Sequence, residues 1–91
     1  MSEMCVLEDI FSSKGRVRII RVLARAGELN ISEIARRARL NYKATSSHLK
    51  ALRNAGIIQE KRFGRVRIFR FKSESAKALA LKQLVDAWET Q

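Results

Sequence analysis

Between residues 40 and 58 the chain reads LNYKATSSHLKALRNAGII. Its first half sets two adjacent serines, Ser46 and Ser47, beside His48, with Tyr42, Lys43 and Lys50 close by. Serine next to histidine suggests a nucleophile and its base. Such a pair needs a carboxylate to orient the imidazole, and the nearest acids in the sequence, Glu33 and Glu60, have no implied proximity to it. His48 therefore reads as a partly buried packing residue, and no catalytic residue is assigned. The hydroxyls and cations that remain, with no acid among them, suit another task. Donors, acceptors and positive charge on one surface can address a polyanion and the edges of its bases.

Metal chemistry finds little support. One cysteine and one histidine stand about forty positions apart, and no CxxC or Cys/His pairing occurs. No cofactor or metal is called for. Cys5 has no second cysteine to pair with inside the chain, and its neighbours Glu3, Glu8 and Asp9 oppose a reactive thiolate, so it reads as a small buried or interface residue. No apolar run approaches the ~20 residues that span a bilayer, and the N-terminus lacks the basic-then-apolar order of a signal peptide. The expectation is a cytoplasmic protein with no membrane partner.

The charge distribution separates the middle of the chain from its ends. The net charge is +10, yet residues 14–72 hold 17 basic and three acidic residues, while both ends are net acidic. Charge of that size speaks about partners rather than fold, and the partner it suggests is a polyanion. Ion-pair networks would need matching acids, which the middle segment lacks.

The elements that must position these residues follow from hydrophobic spacing. Residues 3–12 form a short acidic amphipathic helix, with Val6 or Leu7, Ile10 and Phe11 on one stripe. Residues 15–26 place Val17, Ile20, Leu23 and Ala24 on a face opposite Arg18, Arg21 and Arg25, and Gly27 suits a helix end. A two-turn helix follows, with Ser32 as its cap, Glu33 in its first turn and Ile34, Ala35 and Ala38 as its apolar face. RLN at 39–41 breaks it. Asn41 caps a further helix over 42–55 with Thr45, His48 or Leu49, and Leu52 inward, and Gly56 ends it. Residues 57–71 change to strand formers around RFGR, which predicts a two-stranded hairpin with a basic tip. The last helix opens at Ser73 or Ser75 and runs to about Glu89. Its apolar arc, including Ala78, Leu81, Leu84, Val85 and Trp88, is wider than one domain face needs.

Helix, helix, short helix, turn, helix and basic hairpin is the order of a winged helix-turn-helix: mainly α, with a small β-hairpin wing. With 91 residues the chain has room for one domain, 1–91, with a core over 14–72 and flanking helices over 3–12 and 73–90. SEIA opening the first helix of the motif, SSHLKALRNAGII in the second and RFGRVRIFRF as the wing resemble the ArsR-like family of bacterial and archaeal transcriptional regulators. The resemblance covers residues 14–72 and, weakly, the flanking helices, which that family uses to dimerise. It implies a repressor-type, double-stranded DNA-binding homodimer. The same family's metal sensors cluster Cys, His and carboxylates near the second motif helix or in the last helix. Here the last helix offers only Asp86 and Glu89 toward its C-terminus, so no such site is expected; a small-molecule effector stays open, with room for a pocket chiefly at the dimer interface.

A 3.6-residue period turns Thr45, Leu49 and Leu52 inward and leaves Tyr42, Lys43, Ser46, Ser47 and Lys50 outward, where a helix in the major groove meets base edges. Family members often carry Gln or Arg at the reading positions, and this chain has Tyr42 and Ser47, so base preference does not transfer. Arg62, Arg65 and Arg67 around Gly64 would lie along the backbone or probe the minor groove, with Arg18, Arg36, Arg37 and Arg39, and also Arg16, adding phosphate contacts. Leu7, Ile10 and Phe11 with Leu81, Leu84, Val85 and Trp88 form the expected dimer interface. Two other readings share the cationic features: a non-specific architectural or chromatin DNA-binding protein, and a winged-helix RNA-binding or protein-interaction module.

Overall fold

The computed structural model describes residues 7–90. Cys5 and Val6, and with them the start of the expected first helix, lie outside the described residues. The elements run α1 (Leu7–Phe11), α2 (Lys14–Ala26), β1 (Glu28–Asn30), α3 (Ile31–Ala38), α4 (Tyr42–Asn54), β2 (Ile58–Phe63), β3 (Val66–Phe71) and α5 (Ala76–Glu89).

Local chemistry sets most of the boundaries. Ser13 Oγ accepts from the Arg16 amide at 3.1 Å and starts α2. Gly27 at φ 85° donates its amide to the Leu23 carbonyl and stops it, a conformation that costs a residue with a Cβ far more. The expected cap of α3 moves. Asn30, not Ser32, accepts from the Glu33 amide at 2.8 Å, because the helix begins one residue before Ser32 so that Ile31 can enter the core. At the other end of the chain Ser75 is the residue before α5, without a side-chain capping bond.

The hairpin gains a strand. β1 pairs antiparallel with β3, Leu29 opposite Phe69, giving a three-stranded sheet of order β1-β3-β2 where two strands were expected. Three residues between helices are too few to show an alternating pattern, and only the pairing reveals them. β2 and β3 register Ile58 against Phe71 and Phe63 against Val66, so Gly64 and Arg65 form the two-residue loop. Gly64 at φ 60° supplies the backbone such a loop requires.

The core lies where α2 meets α3, α4, α5 and the sheet. Ile19, Leu23, Ile34, Leu49, Leu52, Ile57, Ile58 and Phe69 are fully buried. Ile19 extends the expected apolar row of α2, because this helix is packed on by elements from several sides, and Val17 is only half-buried. Ala78, Leu81 and Val85 bring α5 onto the same core.

Candidate nucleic-acid interface

The turn between α3 and α4 fixes the direction of α4. Arg39 takes the left-handed conformation at φ 59° and donates its amide to the carbonyls of Ala35 and Arg36. Asn41 then caps α4: its Oδ1 accepts from the Ala44 amide at 2.7 Å, and its carbonyl accepts from the Thr45 hydroxyl at 2.8 Å. The buried Thr45 is thus satisfied, and together with Leu49 and Leu52 it seats α4 on the core.

This seating exposes Tyr42, Lys43, Ser47 and Lys50, and leaves Ser46 half-buried. Tyr42 stands 53% exposed at the first position of the helix. Among the described residues, Lys43, Lys50, Arg39 and Arg65 have no ion-pair partner. Four cations without counter-charges lie on or beside α4 and at the hairpin loop.

His48 lies half-buried where α4 meets the start of α2. Its Nδ1 accepts from Arg16 Nε at 3.2 Å, which places the ring proton of the neutral form on Nε2. A Cβ on Gly15 would stand 2.7 Å from that nitrogen, so glycine is what lets α2 approach this closely. Burial, and then the Arg16 charge, hold the His48 pKa below its ordinary value. A neutral ring locked to an arginine is a packing group, and among the described residues no carboxylate is hydrogen-bonded to it. The Ser/His constellation of the sequence therefore separates in space into an outward Ser47 and an inward His48.

The hairpin is more ordered than a basic tip alone. Arg62 and Arg65 are exposed, with Phe63 and Val66 beside them. Arg67, grouped with them in sequence, turns back toward α4. Its Nε donates to Glu60 at 2.9 Å, and its Nη1 donates to Tyr42 Oη at 3.1 Å and Ser46 Oγ at 3.5 Å. Its guanidinium lies 5.4 Å from the centre of the Phe69 ring. Glu60 also accepts from Arg53 at 2.8 Å and Arg62 at 3.4 Å. Chiefly through the Arg67 hydrogen bond, its carboxyl is held below the ordinary carboxylate range. Strand alternation carries the signal that the sequence reading missed. Once the loop is Gly64-Arg65, Glu60, Arg62, Arg67 and Phe69 share one face, and Glu60 sits diagonal to Arg67.

Other arginines are compensated too. Arg36 and Arg37 bond Glu33, with Arg37 at 3.1 Å, and Arg21 and Arg25 bond Glu89, with Arg21 at 2.5 Å. Arg18 donates to the Ala38 carbonyl at 3.5 Å. Three acids thus engage seven arginines, so ion pairing absorbs more of the basic excess than composition alone suggests.

At the opposite side, α1 and α5 border an open apolar hollow of about 400 Å³, lined by Phe11, Val17, Ile20, Leu84, Trp88 and others, with Arg21 and Glu89 at its edge. Leu7, Phe11, Leu84 and Trp88 are exposed, Trp88 by 78%. Ile10, Leu81 and Val85, grouped with them as interface in sequence, are instead buried within this chain because α1 and α5 fold back onto α2. Among the described residues no group of His, Cys, Asp and Glu could hold a metal ion, and no helix is long and apolar enough to cross a membrane.

Two helices joined by a tight turn, the second half exposed, with a basic hairpin alongside, define a winged helix-turn-helix. The model of the bacterial regulatory proteins of the arsR family matches residues 13–60, more than half of the chain, and the chain belongs to that family. HlyU from Vibrio cholerae superposes with a TM-score of 0.78 over 93% of this chain and 89% of its own, at 24% identity, which shows the shared fold. The transcriptional repressor BigR from Xylella fastidiosa matches at 27% identity and TM-score 0.74, over 89% of this chain and 76% of its own. Mb0332 from Mycobacterium bovis, a homodimeric winged helix-turn-helix DNA-binding domain, matches at 26% identity and TM-score 0.71, over 89% and 72%. None of the curated proteins compared matches the chain significantly.

Proposed function

We propose that the protein is a cytoplasmic, homodimeric, sequence-specific DNA-binding transcriptional regulator that represses by occluding a promoter, with no catalytic role. In this reading α4 enters the major groove and presents Tyr42, Lys43, Ser46, Ser47 and Lys50. Arg62 and Arg65 lie along the backbone or in the adjacent minor groove, and Arg18, Arg36, Arg37 and Arg39 add phosphate contacts. Leu7, Phe11, Leu84 and Trp88 pair with a second copy.

The observation that carries the reading is the outward face of α4, which holds hydroxyls and ammonium groups without an ion pair among the described residues, bears no acid, and is oriented by a buried Thr45, Leu49 and Leu52. A solvated helix face ordinarily mixes signs. Membership of a regulator family, the repressor BigR and the homodimeric domain from Mycobacterium bovis support the same conclusion.

Selection from a random pool of duplexes, at stated salt, tests it. Two-fold pairing places the two copies of α4 about 34 Å apart, so the enriched sequences are expected to be inverted repeats with half-sites one helical turn apart. Enrichment of no sequence would reduce the protein to a general DNA binder, and preference for single strands or RNA in competition would remove the duplex reading.

A further inference from the structure

We propose that Arg67 is a specificity-determining positioning residue, which sets the hydroxyls of Tyr42 and Ser46 as hydrogen-bond donors toward DNA. The inference rests on the reading of α4 as the helix that meets the bases. A hydroxyl offers one donor and two acceptor lone pairs, whereas a guanidinium only donates. Arg67 gives an N–H to Tyr42 Oη at 3.1 Å and, more weakly, to Ser46 Oγ at 3.5 Å. Each oxygen therefore spends a lone pair on the protein, and its own hydrogen is left for an outside acceptor.

The bridge is built rather than incidental. Arg67 is anchored on Glu60, whose side chain is only 10% exposed and which also ties in Arg53 from the end of α4 and Arg62 from β2. The guanidinium rests over the Phe69 ring, and the Arg67 side chain itself is 20% exposed. Its charge is compensated and, unlike the ion-paired but exposed Arg36, Arg37 and Arg62, its side chain is largely covered, so it is a poorer phosphate ligand than Arg65, which has no ion pair among the described residues.

The consequence for reading is specific. Serine alone discriminates weakly between base edges, since it can give or take a hydrogen bond. A hydroxyl with one lone pair already engaged is biased toward donating, which favours guanine N7 or O6, adenine N7 and thymine O4 over the amino groups of cytosine and adenine. Arg67 would thereby narrow the base choice from outside the helix that makes the contact.

The experiment compares Arg67→Met, Arg67→Lys, Tyr42→Phe and Arg65→Ala on the selected duplex, on each single-base-pair variant of it and on a scrambled duplex, with salt titrations. Arg67→Met is expected to flatten discrimination about tenfold at the base pairs under Tyr42 and Ser46 while weakening the scrambled duplex little. Arg67→Lys keeps the charge but not the planar fork, and is expected to lose the same discrimination. Arg65→Ala should instead weaken all duplexes alike and lower the salt slope by about one. Tyr42→Phe removes one hydroxyl and its bond from Arg67 while leaving the Arg67–Glu60 anchor in place, so it reports the base-pair loss at that hydroxyl even where Arg67→Met perturbs folding. Uniform weakening by Arg67→Met with a slope reduced by about one would overturn the proposal in favour of a phosphate contact. Unchanged discrimination in Arg67→Met and Tyr42→Phe would overturn it as well. A wild-type protein that fails to distinguish the selected from the scrambled duplex refutes the regulator reading itself, and is recognised before any variant is compared.

Discussion

The outer faces of α4 and α5 are both helix surfaces left largely open among the described residues, and they are built differently. On α4 the outward groups are mainly hydroxyls and ammonium ions, with the Tyr42 and Ser46 hydroxyls held by the Arg67 bridge. On α5 and the adjoining α1 they are Leu7, Phe11, Leu84 and Trp88, whose contact with water is unfavourable at roughly 25 cal/mol per Å². The first surface, polar and cationic, carries no such penalty. The second gains by being covered, which is what a subunit contact provides. Small domains bury a limited share of their surface, and under the proposed function the two faces would divide the labour: association at one end, recognition at the other.

Substitutions can break this contrast at different depths. The largest effect is expected at the shared core: Leu52→Ala opens a cavity under α4 and should lower unfolding stability by about 2 to 5 kcal/mol in urea titration, disturbing both faces together. Next is the apolar face alone. Leu84→Glu with Trp88→Glu should leave the fold intact but weaken self-association by about 2 kcal/mol or more in sedimentation equilibrium, whereas Lys50→Glu should spare association and impair DNA binding. A smaller change is expected from Asn41→Ala, which removes the α4 cap and should cost about 1 kcal/mol of stability.

The smallest effects are those of pH. The folded-state pKa of His48 is depressed, so its contribution is present above the unfolded value near 6.5 and lost as pH falls through the folded value. Stability should decline as the pH drops below about 6.5, and His48→Gln should flatten that part of the profile. Glu74, held at about 2 chiefly by its hydrogen bond from Arg70, contributes above its ordinary range near 4.5 and loses that contribution as pH falls toward 2. The pair is exposed, so Glu74→Gln should flatten only a shallow slope in that window.

Much of this was legible in the sequence because it is local. Asn41, Gly27 and Gly64 announce a cap, a stop and a turn by their own conformational preferences, and the spacing of Thr45, Leu49 and Leu52 orients α4 without any knowledge of the rest of the chain. Features that depend on distant pairing were not legible in the same way. β1 pairs through Leu29 opposite Phe69 some forty residues later, and the α3 cap falls on Asn30 because Ile31 enters a core assembled from distant elements. The Arg67–Glu60 bridge to Tyr42 likewise requires the hairpin to fold back over α4, so composition counted Arg67 as a free cation where the fold makes it a strut. Ile10, Leu81 and Val85 passed for interface because a helical period shows which side is apolar, not what covers it.

The central claim, that the exposed half of α4 reads DNA sequence, is tested most directly by equilibrium binding of the full chain to a selected inverted repeat and to a scrambled duplex of equal length across 50 to 200 mM salt. The account predicts at least about a thousandfold preference for the repeat at physiological salt, with affinity falling by about a thousandfold or more over that salt range as six to ten phosphate contacts are screened. Equal affinity for both duplexes at every salt concentration would contradict it.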